Sequence, residues 1–469
     1  MRGNSKPLFI ALLSVSALYV GVTIWFGYTV ERSNFLLLLA VFFALFITFL
    51  FTVRLADNRK KVITLIAFGL LARLSLLGMI PNLSDDFYRF IWDGVLLANG
   101  VNPFEQLPSY YMQKSYGVPG NLVPGLSSTL FVGMNSPDYY TIYPPISQAV
   151  YWLGAKLFGG DIFANVVVMR TVIIVAETVT LVYMVKILRY FSRDVKWVLL
   201  YALNPLVILE LTGNLHFEAV MIAFLVAGYY YLLQKKYLLA FLLLALSINT
   251  KLVPLMLLPY IAFSLGWKKT IQMSSVVGLA TVLCHIPFYD LSFVENFFSS
   301  IELYFQTFEF NASIYYVIRW IGYQVKGYNI IATAGIYLAA ASTLGIVTIS
   351  WFYRDQKLRN FPTVVILSLS VYYFLSTVVH PWYITTLIAF VPFAGNLYPI
   401  VWSLLLPLSY HVYRTPAYTE WLWLVSLEYI FVYTFFVAEW LAFSRYELIK
   451  EIIVEKVFGI KRGKNLRKT

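Results

Sequence analysis

The run Leu83-Ser-Asp-Asp-Phe-Tyr-Arg-Phe-Ile-Trp-Asp-Gly94 places three carboxylates and a guanidinium in twelve residues. A positioned carboxylate can take the proton of an attacking hydroxyl, which is general-base chemistry. The pattern predicts a helix opened by Ser84 as N-cap, with Asp85 and Asp86 in its first turn. Asp85, Arg89 and Asp93 fall four apart on one stripe, while Phe87, Phe90, Ile91, Val95 and Ala98 crowd another face. Such an amphipathic helix is expected to lie in a membrane interface. The same residues also have an ordinary structural explanation. The helix dipole favours Asp at a helix start, and an Asp–Arg pair at i,i+4 is common support.

Other residues of chemical interest are scattered along the chain. His216 and Glu218 open an apolar run, as a polar cap would. Lys251 lies inside the apolar stretch 237–265, where a charge is costly and usually functional, unless its long stem snorkels to the interface. Tyr143-Pro-Pro-Ile-Ser-Gln148 suggests either a second interfacial helix or a simple re-entry into the next span. Asn311-Ala-Ser313 sets polar groups among aromatics and also matches a glycosylation sequon, a weak pattern. His380-Pro-Trp-Tyr383 reads either as a site element or as an interfacial aromatic belt. No phosphate-binding Gly-rich loop, His-Glu-x-x-His or Gly-x-Ser-x-Gly occurs, and the single Cys284 excludes an internal disulfide. A nucleotide-sugar donor is therefore disfavoured, and a lipid-borne donor fits better. No metal or cofactor is expected.

These residues need elements to hold them, and the composition restricts what those can be. Of the 469 residues, 60% are hydrophobic and 12% charged, and the mean hydropathy is +0.73. About 25% charge is usual in a soluble domain. A chain this apolar needs the bilayer as solvent, and its continuous apolar runs select helices over a barrel. The net charge of +12 does not indicate nucleic acid, because Lys and Arg cluster in short loops between apolar runs, the positive-inside pattern. Arg2 and Lys6 precede a first apolar run with no small-residue cleavage site, which reads as an uncleaved first span.

On this basis the chain is expected to be an all-α integral membrane protein, a single polytopic domain over 1–469 with about 12 to 14 spans and both ends cytoplasmic. Spans are expected at 8–30, 35–53 and 62–80, with the basic loop 54–61 on the cytoplasmic side. The third span delivers a large first outer loop, 81–161, to the opposite side; a second outer loop covers 288–326, and 444–469 forms a basic cytoplasmic tail. Lys268 and Lys269 require the segment 237–265 to turn near Asn249-Thr-Lys251. This topology puts His216, His285, His380, His411, Asp85, Asp86, Glu218 and Lys251 all at the outer ends of spans.

Four blocks in this order resemble the polyprenol-phosphate-sugar-dependent GT-C glycosyltransferases, especially their bacterial mannosyltransferase branch. They are Asp85-Asp-Phe-Tyr-Arg-Phe-Ile-Trp-Asp-Gly94, Tyr143-Pro-Pro145, Asn204-Pro through Asn214-Leu-His216 to Thr250-Lys251, and His380-Pro-Trp-Tyr383. Asn311-Ala-Ser313 is a fifth, weaker one. The resemblance implies a multi-span helical bundle with interfacial helices in a large first outer loop. It also implies transfer of a hexose, with mannose the sugar expected, from a polyprenyl phosphate to a lipid or glycan acceptor. The expected location is the periplasmic face of a bacterial inner membrane.

Asp86 looks like the family's essential acid, and Asp85 its more variable neighbour. A phosphate is already a good leaving group, so the reaction needs a base for the acceptor, which Asp86 or Asp85 could be, and positive charge for the phosphate. Lys251, Arg89 and His380 are the candidates for the phosphate. His216, Glu218, Asn311, Tyr88 and Trp382 are candidates to hold the sugar or acceptor. One carboxylate on the acceptor side predicts inversion. Glu218 departs from the family pattern, in which a shorter acid is expected. The rival expectation is a transporter or lipid flippase with Lys251, Glu177 and Arg170 along its path; a structural assembly factor is a third.

Overall fold

The computed structural model describes residues 5–290, 292–441 and 455–460. Among the described residues the regular structure is helical, apart from one isolated β-bridge, Phe310 with Val378. Seven helices among the described residues are long and apolar enough to cross a membrane: Pro7–Thr29, Phe35–Leu55, Ile162–Tyr190, Trp267–Phe288, Ile331–Phe352, Leu358–Leu375 and Leu422–Trp440. Most of the expected basic tail, including 461–468, lies outside the described residues.

The expected 12 to 14 spans outnumber these because several apolar runs are broken into shorter pieces. The run at 197–212 divides into Val195–Ala202 and Pro205–Gly213, bent by 53°. Asn204 causes the break: its side chain caps the Leu206 N–H at 3.0 Å, and Pro205 starts the new helix without an N–H to satisfy. The expected span at 62–80 is the helix Arg59–Ser75, opened by the Asn58 side chain accepting from Lys61 N–H. The segment 237–265 is likewise broken, into Tyr237–Ile248, a 3₁₀ turn at Val253–Leu257 and Leu258–Leu265.

Packing groups the chain into two compact units. The first comprises Met1–Asn82, Glu177–Gly213 and Pro381–Thr469. Its buried charges are occupied in holding it together. Arg73 donates to Glu177 at 2.8 Å and to the carbonyls of Gly69 and Ala202, and the Thr212 hydroxyl donates to Glu177. Tyr410 donates to Glu210 at 2.6 Å and Trp402 to Glu428 at 2.9 Å, while Glu439 accepts from the Leu397 and Tyr398 N–H groups. In an apolar surround such bonds are the condition for keeping ionisable groups inside. Glu177, one of the residues of the transporter reading, is thus a structural counter-ion. His411 is also structural here, accepting the Trp421 N–H at 2.5 Å. Trp382 belongs to this unit and lies edge-on to Tyr383.

The second unit comprises Leu83–Ala176 and Asn214–His380. Its centre is the helix Asp86–Ala98 packed against Pro145–Phe158. This helix, expected to be interfacial, is largely covered by protein. Phe87, Arg89, Phe90, Ile91, Trp92, Asp93, Gly94, Val95 and Leu96 are all buried, because the chain after Ala98 folds back over it. The close approach depends on Gly94, where a Cβ would lie 2.3 Å from the Tyr151 carbonyl oxygen. Gly94→Ala should therefore force the two helices apart, at an overpacking cost of about 1–3 kcal/mol. A lowered melting temperature of the purified protein checks this; an unchanged one would contradict the tight contact.

Candidate active site

The second unit brings several of the residues singled out in the sequence into one electrostatic neighbourhood. The helix Asp86–Ala98 has Asp85 as its N-cap, one residue later than expected. Ser84 Oγ instead accepts the Asp86 N–H over a long 3.4 Å. Asp86 sits half-buried in the first turn, where the dipole favours a carboxylate. Four aromatic rings then fix the helix. Phe90 stacks on Tyr151 with centroids 4.7 Å apart, and both meet Phe217 edge-on at 5.7 and 5.0 Å. Tyr143 closes the group at 4.9 Å from Phe90. Phe217 directly precedes Glu218, so this cluster locks the Asp86 helix to the start of Glu218–Leu233.

Lys251 arrives by a separate route. The helices Glu218–Leu233 and Tyr237–Ile248 pack together, with Ser247 Oγ donating to the Met221 carbonyl at 2.8 Å. The break after Ile248 then returns the chain to the level of Glu218. The start of Pro145–Phe158 grips this turn: the Ile146 N–H donates to the Asn249 carbonyl and the Ser147 hydroxyl to the Thr250 carbonyl, each at 2.9 Å. Lys251, next along, forms an ion pair with buried Glu218 and keeps 28% of its side chain exposed. Glu218 Oε2 makes no hydrogen bond among the described residues.

His380 and Asn311 come together through the short bridge: Phe310 N–H donates to the Thr377 carbonyl at 3.0 Å and Val379 N–H to the Phe310 carbonyl at 2.8 Å. The His380 ring stacks on Phe310 at 4.8 Å. Asn311 is buried with φ +46°, a left-handed conformation that asparagine tolerates better than most residues. Its burial removes it as a glycosylation acceptor.

The charges act on one another. Burial pushes the Asp86 carboxyl above its usual range; the Asn135 hydrogen bond and the Lys251 charge oppose the rise, while Asp85 and Glu218 add to it. Burial, with the Lys251 charge, depresses His380 to about 3 and holds His216 well below its usual value. Both histidines are therefore neutral at pH 7. His380, a phosphate candidate in the sequence, is thus held in its neutral form.

Arg89 also departs from its expected part. It is buried, donates to Asp93 at 2.8 Å, and donates to the carbonyls of Ser136 at 2.9 Å and Tyr139 at 2.8 Å. Two of its five N–H donors hold the loop covering the helix and a third holds Asp93, so it braces that loop. Tyr88 is half-buried, its ring tilted against Phe87 with centroids 4.1 Å apart. His285 hydrogen-bonds the Thr281 carbonyl and packs on Phe293, a structural placement. Two residues at the site carried no local signal: Asn135, whose amide donates to Asp86 at 3.0 Å, and Gln148, which donates to Asp93 at 3.0 Å. Only long-range folding brings them there.

Fold and site together describe a polytopic helical membrane protein with a carboxylate beside a lysine–glutamate pair. The chain belongs to the MptA_B family, matching the model for the alpha-(1->6)-mannopyranosyltransferase N-terminal domain over residues 9–266, more than half its length. The matched region contains Asp86, His216, Glu218 and Lys251. It is also similar to alpha-(1->6)-mannopyranosyltransferase A of Corynebacterium glutamicum, 22% identical over 187 residues. That match takes in 39% of this chain and about a third (35%) of the relative's length.

Proposed function

We propose that this protein moves a mannosyl group from a polyprenyl-phosphate donor to an acceptor hydroxyl at the non-cytoplasmic face of a bacterial inner membrane. The observation carrying this reading is the meeting of Asp86, a carboxylate with raised proton affinity, with the charge of partly exposed Lys251. A raised affinity suits a base that must take a hydroxyl proton. Asp86 accepts that proton as the acceptor oxygen attacks the anomeric carbon, and the bond to the phosphate oxygen breaks. Lys251 meets the negative charge that develops on the departing phosphate. His380 adds a neutral hydrogen bond to it. Asp85, Glu218, His216, Asn311 and Tyr88 are the candidates to hold the sugar or acceptor; Trp382 is proposed on its sequence position alone.

The test uses the purified full chain with labelled polyprenyl-phosphate mannose and a mannoside acceptor. The expected product has the opposite anomeric configuration to the donor, as a single displacement requires. Retention would remove the single-displacement mechanism. Transfer from a nucleotide-activated mannose in place of the lipid would remove the donor assignment.

A further inference from the structure

We infer that Asn135, carried on a loop that Arg89 and Gln148 strap to the Asp86–Ala98 helix, is a positioning residue that aims the Asp86 carboxylate. This rests on the reading of Asp86 as the base. The Asn135 amide donates to Asp86 Oδ1 at 3.0 Å. One donor on one oxygen fixes the plane of the carboxylate and leaves Oδ2 for the incoming hydroxyl. A neutral donor suits this task, because a cation at the same place would depress the base's proton affinity further.

The strap is built from the base's own helix and from Pro145–Phe158 packed against it. Arg89, one turn beyond Asp86, holds the carbonyls of Ser136 and Tyr139. Gln148 donates both to Asp93 and, at 3.1 Å, to the Thr141 hydroxyl. The chain on the C-terminal side of Asn135 is therefore anchored to backbone carbonyls and to Thr141, independently of its own side chain. Asn135 is itself exposed, so packing does not explain its contact with Asp86. The other groups acting on Asp86 are Asp85 beside it, Glu218 at the start of the next helix, Lys251 from the turn, and the Tyr151 phenol from Pro145–Phe158.

The experiment compares wild type, N135A and N135D, each with and without D86N, by pH profiles of transfer and by melting temperature against pH. Loss of the amide removes a bond to the ionised carboxylate, so the acid limb of kcat/KM moves to higher pH in N135A. A hydrogen bond to a charged group is worth about tenfold or more, and that is the expected fall in kcat near neutrality. The donor's KM changes little, because Asn135 does not meet the donor. N135D puts a like charge beside Asp86 and moves the limb further. The melting comparison reads the same contact without activity: N135A alters the pH dependence of melting only where Asp86 is present. An unmoved acid limb with full transfer, or a melting change that persists in D86N, overturns the inference. Normal transfer by D86N alone overturns the base reading instead, while the melting comparison still reports whether Asn135 acts on Asp86.

Discussion

Asp86→Asn should reduce transfer by about 10²–10⁴-fold, the range a general base contributes, while the protein folds and melts at or above the wild-type temperature. The substitution is nearly isosteric and keeps an oxygen to accept from Asn135. What it removes is a carboxylate that burial makes costly to ionise. A carboxyl whose affinity for protons is raised on folding favours the folded state below its unfolded pKa. That contribution is lost as pH rises through the folded value. Near neutrality wild-type Asp86 is therefore a net burden on stability, and D86N relieves it. The melting advantage of the variant should shrink as pH falls to the ordinary carboxylate range.

The same shift fixes the activity profile. Transfer needs ionised Asp86, so wild-type kcat/KM falls on the acid side at a pH above that of an exposed aspartate. Asp85→Asn should cost far less, because Asp85 caps the helix while the Asn135 bond goes to its neighbour. Equal losses from both substitutions would assign the base to the pair rather than to Asp86. Full activity in D86N would remove a carboxylate base from this position.

The sequence makes Asp86 and Lys251 conspicuous for local reasons: one follows a capping serine at a helix start, and the other is a charge in an apolar stretch. Neither signal depends on the rest of the fold. Arg89 shows where local reading fails. Its spacing offers Asp85 and Asp93 equally, and an exposed helix would leave it free to meet a phosphate. The choice of Asp93, and the burial of the guanidinium, come from the loop at 134–141 closing over the helix. The neutral state of His380 is equally non-local, set by burial and by the Lys251 charge. Span count suffers in the same way, because Asn204-Pro205 and the turn after Ile248 interrupt runs whose hydropathy alone reads as continuous.

Lys251→Met should lose transfer by at least about 10²-fold, the scale on which removing a group that stabilises transition-state charge is felt. It should also destabilise the fold, and the two losses must be separated. Glu218 is buried and Lys251 is its ion-pair partner. Removing one partner of a fully buried pair costs about 3–5 kcal/mol, through the charge left behind. Here the cost should be smaller, because Lys251 is partly in solvent. Replacing both partners by neutral residues leaves no uncompensated charge. The double variant E218Q/K251M should therefore melt closer to wild type than K251M does, with a coupling of about 1–3 kcal/mol across the cycle. Its transfer should stay as low as that of K251M if Lys251 meets the donor phosphate. Recovery of transfer together with stability would reduce Lys251 to a structural counter-ion of Glu218. If instead transfer stays low, as the proposal expects, the donor competes with Glu218 for one ammonium group. A charge held by an internal carboxylate until an anionic substrate displaces it carries less desolvation cost than a bare lysine in an apolar surround.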